Sequence, residues 1–66
     1  MPLISIDAVH PTLEQKEKLI AELTKTASKI LNVDEKFFYV LVKVNDLDNW
    51  GVGGKTLTKF MAEQKK

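Results

Sequence analysis

The sequence predicts an α+β chain, a β-α-β unit followed by a C-terminal hairpin. Three observations carry this. Residues 3–9 alternate apolar and polar side chains, residues 13–31 hold apolar residues at helical spacing, and residues 36–44 are a run of aromatic and β-branched side chains. Strand, helix and strand at this length form a parallel pair joined by a right-handed crossover. At 66 residues the chain is read as one domain, 1–66.

The first strand puts Ile4, Ile6 and Ala8 on one face and Leu3, Ser5 and Asp7 on the other, the pattern of a half-buried strand. Pro2 stands at its head, where no ladder N–H is demanded. "HPT" at 10–12 ends the strand. Thr12 with Gln15 fits a capping box, in which the hydroxyl takes the third amide and the Gln side chain returns to the cap. Glu14 and Glu17 suit the positive end of the helix dipole. Leu19, Ile20, Leu23, Ala27, Ile30 and Leu31 form the stripe expected as core, and Lys18, Glu22, Lys25 and Lys29 the solvated face. Asn32 is suited to end the helix in the left-handed conformation.

The second strand, "KFFYVLVKV" at 36–44, differs from the first in being apolar on both sides, with Phe37, Tyr39 and Leu41 opposite Phe38, Val40 and Val42. One helix covers only one face of a sheet, so the other face requires a partner. Two strands and a helix are not independently stable, and a chain this small needs a supplement to its core. With no cysteine and one histidine, that supplement is oligomerisation. "NDLDNWGVGGK" at 45–55 reads as turn formers and a tight glycine hairpin. It lacks the ending of a phosphate loop and a clear helix start. Residues 56–66 are ambiguous, because Leu57, Phe60 and Met61 have helical spacing in a short terminal piece, and Lys65 and Lys66 read as a solvated tail.

Ten basic residues against nine acidic ones give a formal charge of +1, and no basic block marks a nucleic-acid partner. No apolar run nears the roughly 20 residues of a membrane span. No signal peptide is visible, so a cytoplasmic location is expected. All ten basic residues are lysine.

Small second residues, proline included, generally permit removal of the initiator methionine. Pro2 then presents a free secondary amine. Partial burial or a nearby cation lowers the pKa of such an amine, making it a general base near neutral pH. With Met1 attached the nitrogen is an amide and has neither basic nor nucleophilic use.

Met-Pro, the alternating strand, the capped helix with "EQKEKLI", the apolar second strand and "NWGVGGK" together resemble the 4-oxalocrotonate tautomerase family over almost the whole chain. The resemblance implies a β-α-β protomer, dimers that share a four-stranded sheet, and a hexamer built as a trimer of dimers, with active sites near subunit boundaries. It implies a cofactor-free and metal-free isomerase in which the N-terminal proline moves a proton between carbon and oxygen of a small enol or keto acid. Pro2 matches the catalytic proline, Trp50 stands where the family has an aromatic that lines the site, and Val52 matches the aliphatic beside it. Two arginines that grip carboxylates in founding members are missing. The first position falls on Pro11 or Thr12, because the loop is one residue shorter, and the second falls on Tyr39. Lysine does not replace arginine's planar fork, so an enolisable monocarboxylate such as phenylpyruvate suits the chain better than a dicarboxylate.

The expected substrate-binding set is therefore Trp50, Tyr39, Val52 and Thr12 around Pro2. Tyr39 serves equally well as interface packing or as a hydrogen-bond donor to an enolate. Lys36 and Lys43 are candidate cations, and His10 reads as an exposed strand-end histidine. Two alternatives stand beside the tautomerase reading. One uses the same amine for hydration or dehalogenation of an unsaturated acid. The other is a family member that binds or assembles without catalysis.

Overall fold

The structure, a computed structural model, describes residues 1–64; the tail expected at Lys65 and Lys66 lies outside the described residues. Strand β1 (Leu3–Ala8) leads through a short loop to helix α1 (Leu13–Leu31), and strand β2 (Tyr39–Val44) follows. A hairpin of β3 (Gly51–Val52) and β4 (Lys55–Thr56) and a second helix, α2 (Leu57–Gln64), complete the chain. The fold class is α+β, as expected. β1 and β2 pair in parallel, with Leu3 opposite Tyr39, Ile4 opposite Val40 and Ala8 opposite Val44.

The local chemistry read from the sequence is in place around α1. Thr12 Oγ1 accepts from the Gln15 amide at 3.1 Å, and Gln15 Oε1 accepts from the Thr12 amide at 2.8 Å. At the other end Asn32 sits at φ 57°, ψ 46°, and its N–H donates to the Ser28 carbonyl. The hairpin turns on Gly53 and Gly54, at φ 59° and 85°. Two consecutive positive φ values are what a two-residue turn matched to strand twist requires.

Three expectations are corrected. β2 begins at Tyr39 rather than Lys36. Asp34 Oδ1 accepts from the Lys36 amide at 3.1 Å and folds Glu35–Phe37 into a 3-10 turn, so a local side-chain bond outcompetes β propensity there. The ambiguous segment after Gly54 contains a helix, and the clear helix start found missing after the glycines is present at Thr56, whose hydroxyl accepts from the Lys59 amide at 3.2 Å. The α1 stripe is only partly core. Leu19, Leu23 and Ala27 are half-buried, whereas Ile20, Ile30 and Leu31 are exposed. α1 lies mainly along β2, too narrow a platform to cover the full stripe.

Among the described residues none is fully buried. The helix-facing side chains of the sheet, Ile4, Ile6, Ala8, Val40 and Val42, are half-buried. The opposite face leaves Leu3 62%, Tyr39 56% and Leu41 48% exposed. The chain measures 46 × 23 × 18 Å with a radius of gyration of 15.7 Å, against about 11 Å for a compact chain of this length. Its accessible surface is 5332 Å², where a compact 7.5 kDa monomer would expose roughly 4,200 Å². Chain length, shape and exposed face agree that this protomer lacks a core of its own. Among the described residues no helix is long and apolar enough to cross a membrane.

Candidate active site

Pro2 and Tyr39 are brought together. Pro2 is half-buried at the head of β1, and its carbonyl accepts from the Tyr39 amide at 3.0 Å. This bond extends the parallel ladder by one step and fixes the backbone of both residues. Beside them lie Leu3, Tyr39 and Leu41, the apolar end of the uncovered sheet face. The far end of that face is polar, with Asp7 opposite Lys43. Pro2 thus stands at the apolar end of the strand pair, next in the chain to Leu3, which is 62% exposed.

Trp50 and Val52 are grouped elsewhere. The Trp50 indole Nε1 donates to the Asn45 carbonyl at 3.2 Å, and the Asn45 amide donates to the Ala8 carbonyl at 2.9 Å. This ties Trp50 to the end of β1, roughly 20 Å from Pro2 at about 3.3 Å per strand residue. Val52 follows on β3, 37% exposed. Thr12 also lies past the end of β1, where its hydroxyl and amide are both engaged in the cap of α1. A single chain thus holds the expected base and Tyr39 at one end, and the expected aromatic wall at the other.

The candidate cations are placed differently from one another. Lys36 lies in the turn that delivers Tyr39, with Nζ 5.4 Å from the centre of the Phe37 ring. That contact holds the ammonium over an aromatic face. Lys43 belongs to the Asp7 end. His10 Nε2 lies 3.4 Å from Asp46 Oδ1, and both side chains are exposed. Among the described residues no three histidine or acidic side chains gather as a metal ion would need.

Asn45 is the residue that sequence reasoning missed. Its place in the sequence suits a turn former, yet its carbonyl holds the indole and its side-chain Nδ2 donates to Asp7 Oδ1 at 3.3 Å. A half-buried tryptophan N–H needs an acceptor, which is a signal that one exists but not where. Asp48 suits a turn as well. It accepts from the Thr58 hydroxyl and so links the turn before Trp50 to α2.

A family model described as "Tautomerase enzyme" matches residues 2–59. A protein of Dickeya dadantii named "Probable tautomerase K2" is 35% identical over 61 residues, covering 89% of this chain and 91% of that protein. The crystal structure of DmpI from Helicobacter pylori superposes with a TM-score of 0.80 at 32% identity, covering 88% of this chain and 98% of that one. TomN, a 4-oxalocrotonate tautomerase homologue of the tomaymycin biosynthetic pathway, reaches a TM-score of 0.87 at 24% identity, over 92% and 95% of the two chains. At that identity the likeness speaks for the fold.

Proposed function

The chain belongs to the tautomerase family, and from that membership we propose that it is a cofactor-independent keto–enol isomerase whose general base is the amine of Pro2. The observation that carries the proposal is the setting of Pro2. Its carbonyl is held by the Tyr39 amide at 3.0 Å, so the backbone that carries the ring nitrogen is anchored at the head of the β1–β2 pair, next to the exposed apolar Leu3. Removal of Met1 turns that nitrogen from an amide into a secondary amine. Apolar cover disfavours its ammonium form and keeps a fraction of it basic near neutral pH. The amine takes the proton from the enol hydroxyl or the carbon acid and returns it to the other atom, so the step is balanced with no further reactant.

The substrate is a small unsaturated 2-oxo acid with one carboxylate. Tyr39, on the uncovered face, donates to the enolate oxygen or stacks on an aryl group, and Trp50 and Val52 wall the site. Since roughly 20 Å of strand separates Trp50 from Pro2 in one chain, the wall over Pro2 comes from another copy. Assembly through the uncovered sheet face supplies it, and a hexamer built as a trimer of dimers, each dimer sharing a four-stranded sheet, meets this need. Each copy acts as one tautomerase-like domain, 1–66.

The experiment is ketonisation of phenylenolpyruvate, followed by ultraviolet absorbance, by the mature protein and by the form that keeps Met1, in which the Pro2 nitrogen is an amide. A general base contributes about 10²-fold or more, so a large drop in kcat is expected. Equal rates would sink the proposal. A dienol dicarboxylate run in parallel reads the missing arginine fork, and the monocarboxylate should be preferred.

A further inference from the structure

We propose that Asp7, Asn45 and Trp50 form a hydrogen-bonded clamp that sets the plane of the indole, so that Asn45 is a positioning residue for the aromatic wall of the site. The inference rests on the reading that Trp50 lines that site. It begins from what a tryptophan requires and a phenylalanine would not. The indole N–H is a donor with no acceptor capacity, and half-buried it must be met. Here it is met by a backbone carbonyl five residues back, that of Asn45, at 3.2 Å.

That carbonyl is itself immobilised. The Asn45 amide donates to the Ala8 carbonyl at 2.9 Å, and Asn45 Nδ2 donates to Asp7 Oδ1 at 3.3 Å. Both partners lie on β1, so the acceptor is pinned to the end of the parallel pair. The Trp50 backbone is held from both sides as well. Its N–H donates to the Leu47 carbonyl at 3.1 Å, and its carbonyl accepts from the Leu57 amide at 2.8 Å. A tryptophan side chain has two torsions. With the backbone fixed at one end and the ring N–H at the other, neither is free to turn.

The missing arginines give this rigidity a use. An arginine fork would orient a carboxylate by two parallel hydrogen bonds. A chain without arginine has no such group, and the orientation of a flat enol then falls to the surfaces it packs against. A wall that rocks has to be stilled when the enol binds, and that ordering cost weakens binding.

The chain has one tryptophan, so its fluorescence reports Trp50 alone. Asn45→Ala removes the tie to Asp7, and Asp7→Ala removes the same bond from its other end, which keeps the test open should one variant fold poorly. Both are expected to shift Trp50 emission to the red and increase its quenching by acrylamide. Both should raise KM about fivefold with kcat nearly unchanged, the scale of one hydrogen bond. Asp7→Asn keeps an acceptor for Asn45 and should restore the parent emission and KM. Unmoved emission and quenching in both alanine variants overturn the clamp, whatever the rates. Moved emission with unchanged KM overturns the positioning role. Trp50→Ala, measured alongside, tests the wall itself: an unchanged KM there refutes the placement of Trp50 in the site and leaves the clamp to be judged on fluorescence.

Discussion

Replacing Leu41 with aspartate should dissociate the assembly and unfold the chain. Leu41 lies on β2 near Leu3 and Tyr39, on the sheet face that none of the described residues covers, and is 48% exposed. Full burial of a leucine is worth about 1.5–3 kcal/mol, so covering the exposed half contributes roughly 1 kcal/mol for each copy. Leu41→Ala should cost about that. Leu41→Asp should cost several kcal/mol more, because an unpaired carboxylate would be carried into an apolar contact. The protomer has little to offset such a loss, since it exposes roughly 1,100 Å² more surface than a compact chain of its mass. Sedimentation velocity gives the mass of the particle, and circular dichroism during heating gives its melting temperature. The expected result is a smaller particle with a lower melting temperature, for Leu41→Asp far more than for Leu41→Ala. A Leu41→Asp protein with the parent mass and melting temperature would refute assembly through this face.

Three further outcomes follow from the same structure. Thr12→Ala removes one half of the capping box and should cost about 1 kcal/mol by urea denaturation, while Thr12→Ser should retain most of it; a KM effect of Thr12→Ala beyond the stability loss would add a substrate role. Gly54→Ala meets no atom within 4 Å but must hold φ at +85°, so it should destabilise the hairpin by about 1 kcal/mol through backbone strain alone, read as faster amide exchange across β3 and β4. The kcat/KM of the mature protein should rise with pH through the Pro2 amine pKa and then level off, because the base works only when deprotonated. Apolar cover disfavours the charged form, so the midpoint should lie below the ordinary α-amino value of about 8, and a profile flat through that range contradicts an amine base.

What the sequence made legible was local chemistry. Alternation over residues 3–9 assigned the two faces of β1 correctly, because a period of two has one physical reading when one face is covered. The capping box at Thr12 and the left-handed Asn32 involve residues at most four apart, and so were visible as spacings. Lys36–Phe38 misled because an Asp34 side-chain bond shapes the backbone there, and aromatic composition carries no trace of it. The helix α2 was ambiguous because eight residues are too few to be stable alone; it is held by the turn it packs on and by Thr58 bonded to Asp48, partners ten residues apart. Asn45 was invisible as a site residue for a plainer reason. It meets the indole through its carbonyl, a group that every residue has, and its side chain reaches Asp7, a partner distant in the chain. The separation of Pro2 from Trp50 follows from the parallel pairing, since Pro2 precedes β1 and Trp50 follows β2 and so they lie at opposite ends of the strands.

Catalysis by a free Pro2 amine is tested most directly by changing that one nitrogen. Two chemically synthesised chains, residues 2–66 and residues 1–66, differ only in whether that nitrogen is an amine or an amide. After folding, intact mass confirms each species and sedimentation confirms that both assemble alike. Their ketonisation rates on the same enol acid are then compared. Residues 2–66 should be faster by about 10²-fold or more, the scale of a positioned general base. Equal rates from two equally assembled chains would contradict the account.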